Sequence, residues 1–223
     1  MSMHPDEHMA LMDQVYAKQR YVYDFTRKYY LFGRDRLLRE IDIQPDQKLV
    51  EIGCGTARNL IKLAQRYPAL KLYGLDASSE MLRTARQAID KAGFSCRICL
   101  TRGLAENLTP AMFGLKGHFD HALFSYSISM IPDWKQSLMK ASEAVGDGQI
   151  HVVDFGDFRA LPPLPSLMKS WLRLFHVAPR VEILERLQSL QRRPEQEACL
   201  RILPAHYAFI WQGSGRTVQK LAL

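Results

Sequence analysis

No stretch of this chain is long and apolar enough to cross a membrane. The most apolar run, Ala122 to Pro132, has eleven residues and is broken by Ser125, Tyr126, Ser127 and Ser129, whereas a span needs about 20 predominantly apolar residues. The chain is expected at most to lie on a membrane. Its start, MSMHPDEHMALMDQ, lacks the basic region and apolar core of a secretory signal and is too acidic for a transit peptide. Cysteine is scarce, four in 223 residues, and free thiols are expected in place of a disulfide frame. Cys96 and Cys99 do form a C-x-x-C. They fall, however, in an alternating segment that reads as a strand over Ser95 to Thr101, where positions three apart face opposite ways. A shared metal is therefore not expected. The histidines His118, His121, His151, His176 and His206 are scattered and form no metal-ligand cluster. Eleven Pro and thirteen Gly are too few for a collagen-like or low-complexity chain.

What is present is an ordinary globular composition, 47% hydrophobic and 24% charged. One domain of this length buries roughly 70% of its unfolded surface and needs no staple. Lys plus Arg (30) exceed Asp plus Glu (23), a net charge of +7, which permits an anionic partner.

The texture changes along the chain. Residues 1–45 read as a helical cap, basic and aromatic from Gln14 to Arg39, punctuated by Gly33, with a short helix to about Ile41. Residues 46–160 alternate short apolar strands (Lys48 to Ile52, Leu70 to Leu75, Ser95 to Thr101, His118 to Phe124, Gln149 to Phe155) with helices (Arg58 to Arg66, Ser78 to Ala92, Trp134 to Val145). That alternation marks βαβ units and a parallel sheet. Residues 161–197 read as a basic helical insert, Leu167 to His176 and Val181 to Gln191. Residues 198–223 hold two strands, Ala198 to Leu203 and His206 to Gln212, returning through Pro204. No internal repeat or flexible linker divides the chain, so one α/β domain is expected.

The chemistry begins at Val50-Glu-Ile-Gly-Cys-Gly-Thr-Ala-Arg-Asn-Leu60. Gly53 and Gly55 lie where a strand turns into a helix, and a missing Cβ lets the backbone approach a ligand. A dinucleotide fingerprint wants a third glycine at position 58, where this chain has Arg58, so a pyrophosphate ligand is disfavoured. Glu51 puts an anion at the strand end, which suits a cationic ligand. Asp76, ending Leu72-Tyr-Gly-Leu-Asp76 about 20 residues beyond the turn, is placed to accept both hydroxyls of a ribose.

These motifs resemble those of the class I S-adenosylmethionine-dependent methyltransferases. Glu51-x-Gly53-x-Gly55 is similar to the family's first motif and Asp76 to its ribose-binding acid. Arg102-Gly-Leu-Ala-Glu-Asn-Leu108 is similar to the adenine-binding third motif, and His118-Phe-Asp-His-Ala-Leu-Phe124 to the fourth strand. Ala57 stands where the family often has Gly, and Leu104 where a carboxylate often meets the adenine amine. Outside the core, Gln19 to Asp35 and Phe124 to Trp134 resemble the bacterial betaine-lipid methyltransferases, which methylate the amine of diacylglyceryl-homoserine three times.

The resemblance implies a Rossmann-like class I methyltransferase fold, a mostly parallel sheet with helices on both faces, and S-adenosyl-L-methionine as cofactor. Cofactor contacts are then expected from Tyr23 and Arg27 in the cap and from Glu51, Gly53, Cys54, Gly55 and Asn59 at the first motif. Asp76, Ala77 and Met81 follow at the second, Leu104, Ala105 and Glu106 at the third, and Ser125 at the fourth. Tyr23, Tyr126 and Arg27 are the catalytic candidates. The product is a quaternary ammonium, which aromatic faces attract, and Arg27 lies one helical turn from Tyr23 and Tyr30. Tyr30, Ser127, Trp134, His151 and Asp154 are the substrate-binding candidates. No metal is expected.

The partner expected is a lipid substrate in a membrane with anionic phospholipid, met from the cytoplasmic side by the cap and by Leu167 to Arg193. Other amine acceptors such as phosphatidylethanolamine, and a membrane-surface cofactor-binding protein without catalysis, are the alternatives. Nucleic acid is not expected, because the basic residues alternate with apolar ones on helices and no nucleic-acid motif is present.

Overall fold

The computed structural model describes residues 31–158, 180–191 and 198–220. Tyr23, Arg27, Tyr30 and the segment Leu167 to His176 lie outside the described residues.

The described chain forms one seven-stranded sheet. Its strands are β1 (Lys48–Ile52), β2 (Lys71–Asp76), β3 (Ile98–Arg102), β4 (His121–Ser125), β5 (Gln149–Phe155), β6 (Cys199–Ile202) and β7 (Ala208–Ser214). Their spatial order is β3-β2-β1-β4-β5-β7-β6. The first five pair in parallel, and β7 runs antiparallel to both β5 and β6. The order reverses between β1 and β4, and such a switch point opens a crevice at the carboxyl ends of the strands.

The helices are α1 (Arg34–Glu40), α2 (Arg58–Arg66), α3 (Ser79–Lys91), α4 (Trp134–Val145), α5 (Val181–Gln191) and α6 (Gly215–Gln219). Their sequences explain their bounds. Ser78 Oγ accepts from Met81 N at the start of α3, with Glu80 in the first turn, and Asp133 caps α4 by accepting from Gln136 N. Leu60, Leu63 and Ala64 of α2 recur at helical spacing and are buried. Two apolar clusters result, one under α1, α2 and α3 and the other under α4, α5 and α6.

The structure corrects several expected boundaries. Cys96 precedes β3, so strand pleating does not separate it from Cys99; both are exposed free thiols, as is Cys199. His118 also precedes its strand. There Asp120 brackets β1 instead, accepting from Lys48 N through its carboxylate (2.7 Å) and donating its own N–H to Lys48 O (2.9 Å). His206 lies in a 3₁₀ turn (Pro204–His206) and β7 runs on to Ser214, followed by α6, which the polar Gly213-Ser-Gly-Arg216 stretch concealed. The described part of the basic insert is a packed helix. Ile183, Leu184, Leu187 and Leu190 of α5 are buried against the sheet, which removes its apolar face from the expected membrane contact. Among the described residues no helix is long and apolar enough to cross a membrane.

Candidate functional site: a cofactor cleft at the switch point

The site is built on the turn after β1. Gly53 has φ 73°, and a Cβ there would lie 2.5 Å from Ser127 Cβ, so only glycine fits. Gly53 N and Cys54 N both donate to Leu75 O, at 2.8 and 3.0 Å, which ties the turn to the end of β2. Asp76 completes the tie. One carboxylate oxygen accepts from Gly55 N (2.8 Å) and the other from Ser78 N (2.9 Å). A carboxylate has about four acceptor sites, so these two bonds do not exhaust it.

The opposite wall follows β4. Tyr126 is a buried residue in the left-handed region, φ 55°. Its N–H donates to Val153 O (2.8 Å), its hydroxyl donates to the Phe32 carbonyl, and its ring meets Phe155 with centroids 4.7 Å apart. Ser127 Oγ donates to Ile52 O at 2.6 Å. The 3₁₀ turn Ile128–Met130 comes next and is held by Asp154. That buried carboxylate accepts from Ser129 N (3.0 Å), Ser129 Oγ (2.8 Å) and Phe155 N (2.7 Å).

Between these walls lies a partly open cleft. Of the expected contacts, Gly53, Gly55, Asp76, Ala77, Met81, Leu104, Ala105, Glu106, Tyr126 and Ser127 line it. Leu75, Gly103, Met130 and Ile131 line it too and were not anticipated. Gly103 carried a signal, since it sits inside the third motif. Met130 and Ile131 carried none, because their place depends on the Asp154 tether.

Glu51, Cys54, Asn59 and Ser125 line a second cavity, with Arg34 and Arg58, which meets the first at Gly53. Glu51 Oε1 there accepts from Asn59 Nδ2 at 2.6 Å. The Cys54 thiol is pushed well up by burial, reinforced by the charges of Asp76 and Glu51. Beside it, Arg58 and Lys62 hold the Asp35 carboxyl far below the usual carboxylate range, against the opposing effect of burial.

Three expected substrate contacts are not where the sequence put them. Trp134, the first residue of α4, is buried in the cluster on the α4 side and lines a separate groove beside Arg186, because its helix turns that face to the sheet. His151 is in the amino half of β5, bonded to His121 and Gln212, and so sits away from the carboxyl ends of the strands. Asp154 holds the Ile128–Met130 turn and does not line the cleft.

Tyr126→Phe is expected to cost about 1 kcal/mol, the net worth of one hydrogen bond, read as a shift in the denaturant midpoint. Tyr126→Ala would also remove a buried aromatic, a loss of about 3–5 kcal/mol. The phenylalanine variant therefore tests the site without emptying the core.

Residues 49–148 match the family described as "Methyltransferase domain". The trans-aconitate 2-methyltransferase of Afipia carboxidovorans is 29% identical over 121 residues, covering 54% of this chain and 43% of that protein. The demethylmenaquinone methyltransferase of Geobacillus stearothermophilus is 28% identical over 138 residues, covering 61% of this chain and 56% of that protein. The matched region thus spans about half the length of these curated relatives. Among solved structures, an S-adenosylmethionine-dependent methyltransferase from Aquifex aeolicus has the same fold at TM-score 0.60 and 15% identity, covering 96% of this chain and 99% of that one. The mitomycin 7-O-methyltransferase MmcR reaches TM-score 0.68 at 16% identity, covering 92% and 60%.

Residues 49–148, which carry most of the cleft, match a methyltransferase domain, the sheet has the Rossmann-like class I methyltransferase fold, and S-adenosylmethionine is the cofactor that match implies. The residues present fit that cofactor. The Gly53–Gly55 turn lines the cleft, the Asp76 carboxylate would accept from ribose hydroxyls there, and Met81, Leu104 and Ala105 would offer apolar surface to an adenine.

Proposed function

We propose that this protein transfers methyl groups to the amine of diacylglyceryl-homoserine, in successive steps to the trimethylated betaine lipid, working peripherally at the cytoplasmic face of a membrane. The observation that supports this reading is the place of the Phe124 to Trp134 segment. It carries the resemblance to the betaine-lipid enzymes, and Tyr126, Ser127, Met130 and Ile131 from it line the cofactor cleft.

S-adenosylmethionine, when bound, supplies a methyl group on a sulfonium. The protein's share is to hold it and to align a neutral amine behind the methyl, and alignment of this kind is worth several kcal/mol of a barrier. Asp76 fixes the ribose end while it fixes the Gly55 turn. Tyr126, immobilised by Phe32 and Phe155, keeps water from one wall and presents an aromatic side to a forming quaternary ammonium.

The test is transfer of labelled methyl from S-adenosylmethionine to a lipid extract supplemented with diacylglyceryl-homoserine, beside phosphatidylethanolamine, a demethylated quinone and a small tricarboxylate. Label in the homoserine head group is expected; label in another acceptor instead would overturn the substrate. Vesicle co-sedimentation is expected to rise with anionic lipid and fall with salt, because exposed charges are screened over about 8–10 Å at physiological ionic strength. Lys169→Glu with Arg173→Glu, in the segment outside the described residues, is expected to weaken it. Equal binding to neutral and anionic vesicles removes the membrane reading.

A further inference from the structure

An amine must shed its proton before it can attack, and the carboxylates among the described cleft-lining residues, Asp76 and Glu106, both belong to the motifs expected to meet the cofactor. We infer that His206, oriented by Asp157, is the base that accepts this proton from the acceptor's ammonium; the inference rests on the methyl-transfer reading above.

The chain brings these two residues to the correct end of the sheet. β5 ends at Phe155, and Ala208, the first residue of antiparallel β7, pairs with it. The residues just after β5 and just before β7 therefore share the carboxyl edge, where open α/β sheets bind their ligands. The two connecting loops are knitted together. Gly156 N donates to Tyr207 O (2.8 Å) and Phe158 N donates to His206 O (3.0 Å). A Cβ at Gly156 would lie 2.2 Å from the His206 carbonyl oxygen, so the approach requires glycine there.

The backbone is held in unusual conformations at this place. Phe158, Ala205 and His206 have φ of 58°, 60° and 52°. Non-glycine residues in the left-handed region persist where the surroundings over-determine them, and they cluster at functional sites. The result is a His–Asp pair. His206 Nδ1 is 3.3 Å from Asp157 Oδ1, with the Asp157 side chain 5% exposed and the His206 side chain 37% exposed. Nδ1 itself is buried and makes no hydrogen bond, so its approach to Asp157 is a close contact and not an aligned bond. A buried carboxylate beside one ring nitrogen leaves the other nitrogen to exchange protons.

An aromatic wall connects this pair to the cleft. Tyr126 meets Phe155 (4.7 Å between centroids), Phe155 meets Tyr207 (5.9 Å), and Tyr207 meets Phe32 (5.2 Å), whose carbonyl accepts the Tyr126 hydroxyl. Ring faces are suited to an acceptor that is cationic before its proton leaves and again after methylation. Among the described residues, several other charged groups on the elements around His206 are engaged. Asp154 on β5 holds Ser129, Arg201 on β6 pairs with Glu40 of α1, and Glu40 also pairs with Arg36. Arg34 of α1 is buried and lines the second cavity. In the step, the acceptor's N–H bond breaks, its electron pair stays on nitrogen, and the proton goes to His206 Nε2. The imidazolium beside Asp157 then releases that proton to water.

The test uses His206→Asn, since asparagine tolerates the left-handed backbone, and Asp157→Asn as an independent second variant. Methyl transfer to diacylglyceryl-homoserine in mixed micelles is followed from pH 7 to pH 10, with thermal melts to confirm folding and calorimetry of S-adenosylhomocysteine binding. For His206→Asn, kcat is expected to fall about 100-fold at pH 7, the low end for loss of a general base. The deficit should narrow as the pH rises and solvent removes the acceptor's proton unaided. Asp157→Asn should show a smaller deficit of the same pH form, and S-adenosylhomocysteine affinity should be unchanged in both. A folded His206→Asn protein within twofold of wild type at pH 7, or a deficit of equal size at every pH, overturns the base. Wild-type protein that methylates no amine overturns the function and the base together.

Discussion

Asp76→Ala is expected to weaken S-adenosylmethionine binding by about 1–3 kcal/mol, roughly ten- to a hundredfold, through lost charge-assisted hydrogen bonds. The geometry adds a second loss. Asp76 also accepts from Gly55 N and Ser78 N, so alanine releases the turn after β1 and the start of α3 from each other. Binding should therefore fall more than the ribose contacts alone predict. Asp76→Asn separates the two effects, because an amide keeps one acceptor oxygen for the turn and loses the charge. Calorimetry decides it, and unchanged affinity in the alanine variant would remove Asp76 from the cofactor site.

Acid is expected to destabilise the protein through a buried pair far from the cleft. His121 Nε2 lies 2.9 Å from Gln47 Oε1, His121 Nδ1 lies 3.1 Å from His151 Nε2, and Gln212 Nε2 lies 3.0 Å from His151 Nδ1. An amide oxygen only accepts and an amide nitrogen only donates. The chain is therefore satisfied in one direction, Gln212 to His151 to His121 to Gln47, with both imidazoles neutral. Burial, and then the charge of His121, push the His151 pKa down to about 3. Burial also lowers His121, opposed by Asp120 and Asp42.

A folded pKa below the unfolded value of about 6.5 means that the unfolded chain binds more protons as the pH falls. The stability is fully present above about pH 6.5 and drains away toward pH 3, a loss on the order of 3 kcal/mol by pH 4. Urea midpoints at pH 7 and pH 4 measure it. His151→Leu should be less stable at pH 7, because His121 and Gln212 each lose a partner, yet should lose less on acidification. Identical acid slopes in the two proteins would remove the histidine pair as the source.

The extent to which sequence revealed this molecule follows the range of the forces involved. Arg58–Arg66, Trp134–Val145 and Gln149–Phe155 have the bounds their periodicity and caps predict. The Gly53–Gly55 turn and Asp76 were legible because a ligand-facing backbone needs glycine and a fixed chain length separates turn from acid. What escaped depends on register and tertiary packing. Trp134 looked like a site aromatic because nothing local says that the first turn of α4 faces the sheet. His151 looked like a strand-end residue because only pairing with His121 and Gln212 reveals its place along β5. Asp154 was expected to contact the substrate, but its carboxylate holds Ser129 and so sets Met130 and Ile131. His206 was lost among scattered histidines because Asp157, forty-nine positions earlier, meets it only once β5 and β7 pair.

Cys54 turns the glycine turn into something that can be timed. Its sulfur is packed against the backbone of β2, since a Cβ on Gly74 would lie 2.8 Å from Cys54 Sγ, while Cys96, Cys99 and Cys199 stand exposed. A thiol reagent will consume the three exposed cysteines promptly and reach the fourth only when the turn opens. The slow phase of labelling is then a stopwatch on local opening, set by the population of the open form when reclosing outruns reaction. A bound cofactor spanning Gly53 and Gly55 should lengthen that phase in proportion to its occupancy, which converts one buried sulfur into a ligand-binding reporter that needs neither acceptor nor turnover.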